Sequence, residues 1–313
     1  IGRREPAESQ SVPRGMAIPS RGVRTMMDLL LAPFADHSAM RHALVACLAL
    51  SISGAPLGVF LVLRRMALMG DAMQHAILPG VAVAYIMAGF ALWPMTLGGM
   101  IAGVTVAIAA GLVSRSTVLK EDASFTGMYM ISLALGVVML AAKGDPEEMM
   151  HVLFGDANTI GTDALIMIAG VASISIFAYA LIYRSLAMEC FDPGFMKMTG
   201  GKGALSYHIF LLLVVMNLVA AFHAMGTLMA LGLMVMPAIA ARLWAHDIDR
   251  MVYASIVIGI CTSIIGLLVA YHHQLPSGAA IVLVGGLFYL ISILIGPSGG
   301  LLLKLRPAKH LKG

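Results

Sequence analysis

Long apolar stretches separated by short polar connections run from residue 43 to residue 297. A run of about 20 apolar residues crosses a hydrocarbon core of about 30 Å. Nine segments meet that requirement: 43–63, 69–90, 92–114, 125–143, 163–183, 205–222, 224–243, 251–271 and 277–297. Only the region around His223 separates the sixth from the seventh. One of that pair is therefore a candidate for a broken or re-entrant element, and the pattern predicts eight or nine crossings. Glycine and proline fall inside several spans, at Gly54, Pro56, Pro79, Gly80, Gly232 and Pro237. Such positions free backbone groups that hydrocarbon cannot satisfy, and they are tolerated where protein or water surrounds them. The second and seventh spans are thus candidates for lining a pathway.

The flanking segments read differently. Residues 1–25 are a polar tail with Arg3, Arg4, Arg14, Arg21 and Arg24, without the continuous apolar core of a secretory signal peptide. Residues 26–40 begin with MMDLLLAPFAD, too short to span and suited to lying at the interface. Residues 41–304 form the transmembrane domain and 305–313 a cytoplasmic tail. The predicted fold is an all-α integral membrane protein, a polytopic bundle of 8–9 transmembrane helices with a cytoplasmic coupling helix.

Composition agrees. Hydrophobic residues make up 60% of the 313 and charged residues 12%, with a mean hydropathy of +0.92. A soluble domain carries roughly 25% charged residues, so a water-soluble fold is excluded. The net charge of +4 matters less than its placement. Basic residues sit in every second connection: Arg64 and Arg65; Arg115 and Lys120; Arg184, Lys197 and Lys202; Arg242 and Arg250; Lys304, Arg306 and Lys309. Alternation of this kind marks the cytoplasmic face and gives no reason to invoke nucleic acid. Nine spans would place the N-terminus outside, against which the Arg-rich tail argues, so its side stays open. Cys47, Cys190 and Cys261 form no ligand spacing, and the 25 methionines read as apolar packing.

The sharpest chemical feature is GDAMQHAILPG at 70–80, inside an apolar stretch. Asp71 and His75 are four apart, on one helix face, where a carboxylate and an imidazole could share a cation. Ionisable groups at membrane depth are costly, about 2.5–3.5 kcal/mol on insertion scales, and mark functional sites. The spacing alone leaves open a plainer reading, in which the pair hydrogen-bonds internally or caps a half-helix near the interface. His223, next to Gly226, is a third candidate ligand, although a lone histidine at a span end is commonly interfacial. His272 and His273, and the acidic stretch with Glu147, Glu148, Asp156 and Asp163, could attract cations on the outer side, although solvated loops are the default reading of both.

VLRRMALMGDAMQHAILPGVAVAY resembles the second-span signature of the zinc and manganese ABC-type permeases: a basic pair, Gly-Asp-Ala-x-x-His-Ala and a Pro-Gly step. FTGMYMISLALGVVML (125–140), AMECFDPGFMKMTG (187–200), AFHAMGTLMALGLMVMPAIAARL (221–243) and SGAAIVLVGGLFYL (277–290) resemble further regions of that family in order. The resemblance implies the homodimeric membrane core of an importer in a bacterial inner membrane. Two copies of an ATPase subunit and an extracytoplasmic metal-binding protein would serve it. It implies no permanently bound cofactor, only a transported divalent metal, Zn2+ or Mn2+ with Fe2+ as a further candidate, held by Asp71 and His75. The chain itself has no GxxxxGK[ST] loop, since GGKGA at 200–204 lacks the spacing and the hydroxyl residue. ATP hydrolysis would then be supplied in trans. The connection containing Glu189, Phe191, Asp192, Pro193, Phe195, Met196 and Lys197 combines apolar anchors with charge and suits docking into a partner's groove. Two rivals stand beside the importer: a proton-coupled secondary transporter in which Asp71 and His75 relay protons, and a scaffolding membrane protein in which neither matters.

Overall fold

The computed structural model describes residues 33–35, 37–89, 91–119, 121–143, 160–191 and 203–301. Among them are ten long helices: α1 Ser38–Leu63, α2 Ala67–Ala76, α3 Leu78–Ala88, α4 Leu92–Ser116, α5 Glu121–Lys143, α6 Thr162–Phe191, α7 Gly203–Met225, α8 Thr227–Arg242, α9 Ile248–His273 and α10 Ser277–Ile295. The fold is all-α and multi-pass. Seven helices are individually long and apolar enough to cross a membrane: α1, α4, α5, α6, α7, α9 and α10. Continuous crossings are thus fewer than the eight or nine expected, because two of the predicted spans take other forms.

The span predicted at 69–90 is two helices. Pro79 has no amide hydrogen and crowds the carbonyl four residues before it, so the ladder breaks between Ala76 and Leu78. Ile77 stays in the right-handed helical region (φ −73°, ψ −28°), and α2 and α3 follow one another as a kinked crossing about 33 Å long. The Ala76 carbonyl at the kink accepts the Ser132 hydroxyl from α5 at 2.9 Å. The span predicted at 224–243 is the 16-residue α8, about 24 Å long and short of a full hydrocarbon core. It starts at Gly226, whose φ of 85° lets the chain reverse after α7 in a conformation that side chains disfavour.

Two groups of helices pack together. In one, α1 lies against α6, α8 and α9, and α10 covers α8 and α9; in the other, α2 and α3 pack on α4 and α5. Helix α7 joins them, touching α1, α6 and α8 on one side and α2 and α4 on the other. This central position explains why 72% of its membrane window is buried, as in α1, against 22% for α5 and α10. With lipid as apolar as the side chains, close approach and hydrogen bonds hold such helices together. Gly80 of α3 and Gly98 of α4 let two backbones touch. Buried Asn217 of α7 accepts a hydrogen bond from Ser53 of α1 at 2.7 Å and donates to Ser175 of α6 at 2.7 Å.

Candidate functional site

Helix α2 presents two unlike faces. Met69, Gly70, Ala72, Met73, Gln74 and Ala76 are buried against the bundle, while Leu68, Asp71 and His75 lie on the opposite side. Helical periodicity therefore places Asp71 and His75 together, as their spacing predicted. The Asp71 side chain is 53% exposed and that of His75 36%, with Oδ1 and Nε2 3.8 Å apart. That separation is too long for a hydrogen bond and within ion-pair reach. Two ligands about 2.1 Å from a tetrahedral ion lie about 3.4 Å apart, so a small rotation of either side chain makes a bidentate grip. The His75 ring stacks on Tyr129 of α5, with centroids 6.2 Å apart and planes 29° from parallel. Tyr129 covers one face of that ring, and no spacing in the sequence points to it.

The helix start sets the depth of the pair. Ala67 follows the basic pair Arg64–Arg65 by a single residue, and a rise of about 1.5 Å per residue carries Asp71 about 6 Å and His75 about 12 Å from that end. His75 thus lies about one turn farther from the basic pair than Asp71. Among the described residues no group of three His, Cys, Asp or Glu side chains forms. The chain presents a carboxylate and an imidazole together on an open helix face.

The remaining site candidates fall elsewhere. His223 lies in the last turn of α7, before the Gly226 reversal, and its side chain is outside the described residues. His272 and His273 end α9. Glu189 and Phe191 close α6, with Phe191 78% exposed. Helix α6 has 30 residues, about 45 Å, and so is about 15 Å longer than a 30 Å hydrocarbon core, with Arg184 near its C-terminal end. Asp192, Pro193, Phe195, Met196 and Lys197 lie outside the described residues. Arg64, half of the basic pair that marks the cytoplasmic connection and opens the signature, has its guanidinium 4.4 Å from the centroid of the Tyr207 ring in α7.

A bundle of helices long and apolar enough to cross a membrane, with a carboxylate and an imidazole side by side on one exposed helix face, defines an integral membrane protein whose exposed polar pair is suited to a cation. The chain belongs to the ABC 3 transport family, whose sequence model matches residues 36–296. It is 30% identical over 278 residues to the manganese transport system membrane protein MntC of Halalkalibacterium halodurans, covering 88% of this chain and 94% of that one. It is 25% identical over 272 residues to the chelated iron transport system membrane protein YfeD of Yersinia pestis, covering 86% and 89%. Among solved structures, PsaBC from Streptococcus pneumoniae in complex with Fab is similar with a TM-score of 0.77 and 26% identity, over 87% of this chain and 97% of that one. Membership of an ABC transport family decides between the transport classes left open by the residues: the ATP-driven reading stands and the proton-coupled one does not.

Proposed function

We propose that this chain is the membrane-spanning permease subunit of an importer for a divalent transition metal, and that Asp71 and His75 hold the ion in transit. The observation that carries this is their shared exposed face on the kinked α2, 3.8 Å apart and too few to close a cage. Pairing that face with a second copy gives two carboxylates and two imidazoles, a donor set of hard-to-borderline character that suits Mn2+, Fe2+ or Zn2+ and disfavours Cu(I). The named cargoes of the relatives, manganese and iron, favour Mn2+ or Fe2+ over Zn2+. His223 is a third candidate ligand from the outer end of α7.

The working cycle is alternating access in a bacterial inner membrane. An extracytoplasmic metal-binding protein delivers the ion, the paired sites bind it weakly enough to release it, and two ATPase subunits drive opening toward the cytoplasm. The docking surface is the connection after α6, from Glu189 and Phe191 through Lys197, supported by the length of α6 and its exposed Phe191.

The test is the double variant Asp71→Ala/His75→Ala, expressed in cells starved of manganese and then of iron, with cell metal measured by elemental analysis. Loss of accumulation with a normally inserted, monodisperse protein is expected. Undiminished accumulation would remove the site assignment while leaving the fold untouched.

A further inference from the structure

The basic-side ends of α1, α6 and α7 form one block. Phe60 of α1 makes edge-on ring contacts with Tyr179 of α6 and Phe210 of α7, at centroid distances of 5.9 and 6.4 Å. The Ser206 hydroxyl of α7 donates to that of Ser185 in α6 at 2.8 Å. Four residues after Phe60, the Arg64 guanidinium covers the Tyr207 ring at 4.4 Å. Its Nη1 is buried, with no acceptor among the described residues, and desolvation of this kind strengthens a cation–π contact.

The chain then reverses through a defined cap. The Arg65 amide donates to the Val62 carbonyl at 3.1 Å and the Met66 amide to that of Leu61 at 2.8 Å, the double-bonded pattern of a Schellman motif. Arg65 itself adopts the left-handed conformation (φ 60°) that such a cap needs. Helix α2 begins one residue beyond this cap, and His75 follows just over two turns later. Tyr207 is the fifth residue of α7, which starts directly after the connection 192–202.

We infer that Arg64 is a positioning residue that passes movement of the α6–α7 connection to the metal-bearing helix α2 through its stack on Tyr207. The inference rests on the reading of that connection as the ATPase-docking segment. Displacing the start of α7 moves Tyr207. Arg64 follows, because its charge is desolvated against the ring. The doubly hydrogen-bonded cap resists absorbing that shift and hands it to the first turn of α2. Without the stack, ATP turnover continues while the drive on the ion-binding helix weakens to what the direct packing of α7 on α2 supplies.

The experiment uses the full complex of this chain with its ATPase in liposomes, with Mn2+ uptake and phosphate release measured on one sample. Tyr207→Leu and Arg64→Gln should each lower Mn2+ taken up per ATP hydrolysed by roughly fivefold or more, with the apparent KM for Mn2+ unchanged and the ATPase still co-purifying. Tyr207→Phe, which keeps the ring face, should transport near the wild-type ratio, and the double variant Arg64→Gln/Tyr207→Leu should lose no more than either single. Where Tyr207→Leu does not give monodisperse protein, Arg64→Gln against Arg64→Lys supplies the same comparison. An unchanged ratio in the Leu or Gln variants, a Phe variant as poor as Leu, additive losses in the double variant, or loss of the ATPase on purification would each overturn the inference. Absence of ATP-dependent uptake by the wild-type complex would instead defeat the importer reading, which separates the two failures.

Discussion

Alanine at position 80 would place its methyl carbon 1.9 Å from the Gly98 carbonyl oxygen and 2.7 Å from the Ala102 methyl. Backbone cannot swing aside as a flexible side chain can, so α3 and α4 must separate by at least about 1.5 Å to reach ordinary contact. Overpacking of this kind costs about 1–3 kcal/mol. Gly111, farther along α4, is the matched control: a methyl there meets nothing within 4 Å, and replacing a mid-helix glycine with alanine gains about 0.5–1 kcal/mol. The same substitution in one helix pair therefore acts in opposite senses, with a gap of about 1.5–4 kcal/mol between variants. For a chain of this size each kcal/mol moves a thermal midpoint by about 2–4 °C, so Gly80→Ala should melt at least about 3 °C below Gly111→Ala in detergent, followed by intrinsic fluorescence. It should also reduce metal uptake, because α3 continues α2 and a shifted α3 moves His75. A Gly80→Ala protein as stable as Gly111→Ala would refute the claim that bare backbone contact holds this crossing together.

Further predictions follow from the site and the core. Asp71→Asn removes the carboxylate charge from an exposed position, so metal uptake should fall at least about tenfold while the melting midpoint stays within about 2 °C. Added Mn2+ at 100 times its dissociation constant should stabilise the wild type by about 2.7 kcal/mol and leave Asp71→Asn nearly unmoved, as a thermal-shift titration would show. Tyr129→Ala should weaken Mn2+ binding about 2- to 12-fold, the range of an aromatic stacking contact, whereas Tyr129→Phe should bind normally; isothermal titration separates them. Asn217→Leu breaks hydrogen bonds to two neighbouring helices, each worth about 0.6–1.7 kcal/mol within a membrane, and should lower the midpoint without altering the affinity of the site.

Much of this architecture was legible because hydrocarbon imposes so few solutions on a chain. Span positions followed from apolar length alone, and the special character of the second and seventh spans followed from Pro79, Gly80 and the interruption near His223. Their outcomes were less legible. Whether a proline breaks a span or merely kinks it depends on the partners that carbonyls near the break find, and the Ser132 hydroxyl that bonds the Ala76 carbonyl there is 56 residues away. Asp71 and His75 were visible because helical spacing is local. Tyr129 and the Arg64–Tyr207 stack were not, since each joins distant helices through contacts that leave no period in the sequence. Arg64 was further masked by its company: beside Arg65 in a basic connection, it reads as a topology signal.

The brevity of α8 has a consequence for the reversal that precedes it. With Arg242 at the basic face, a helix about 24 Å long leaves the Gly226 reversal about 6 Å short of the far side of a 30 Å core. The polar backbone of that reversal cannot face lipid tails and must meet protein or water. Gly226 is buried, so protein rather than water covers that backbone, and α7 and α8 meet inside the bundle instead of at its outer surface.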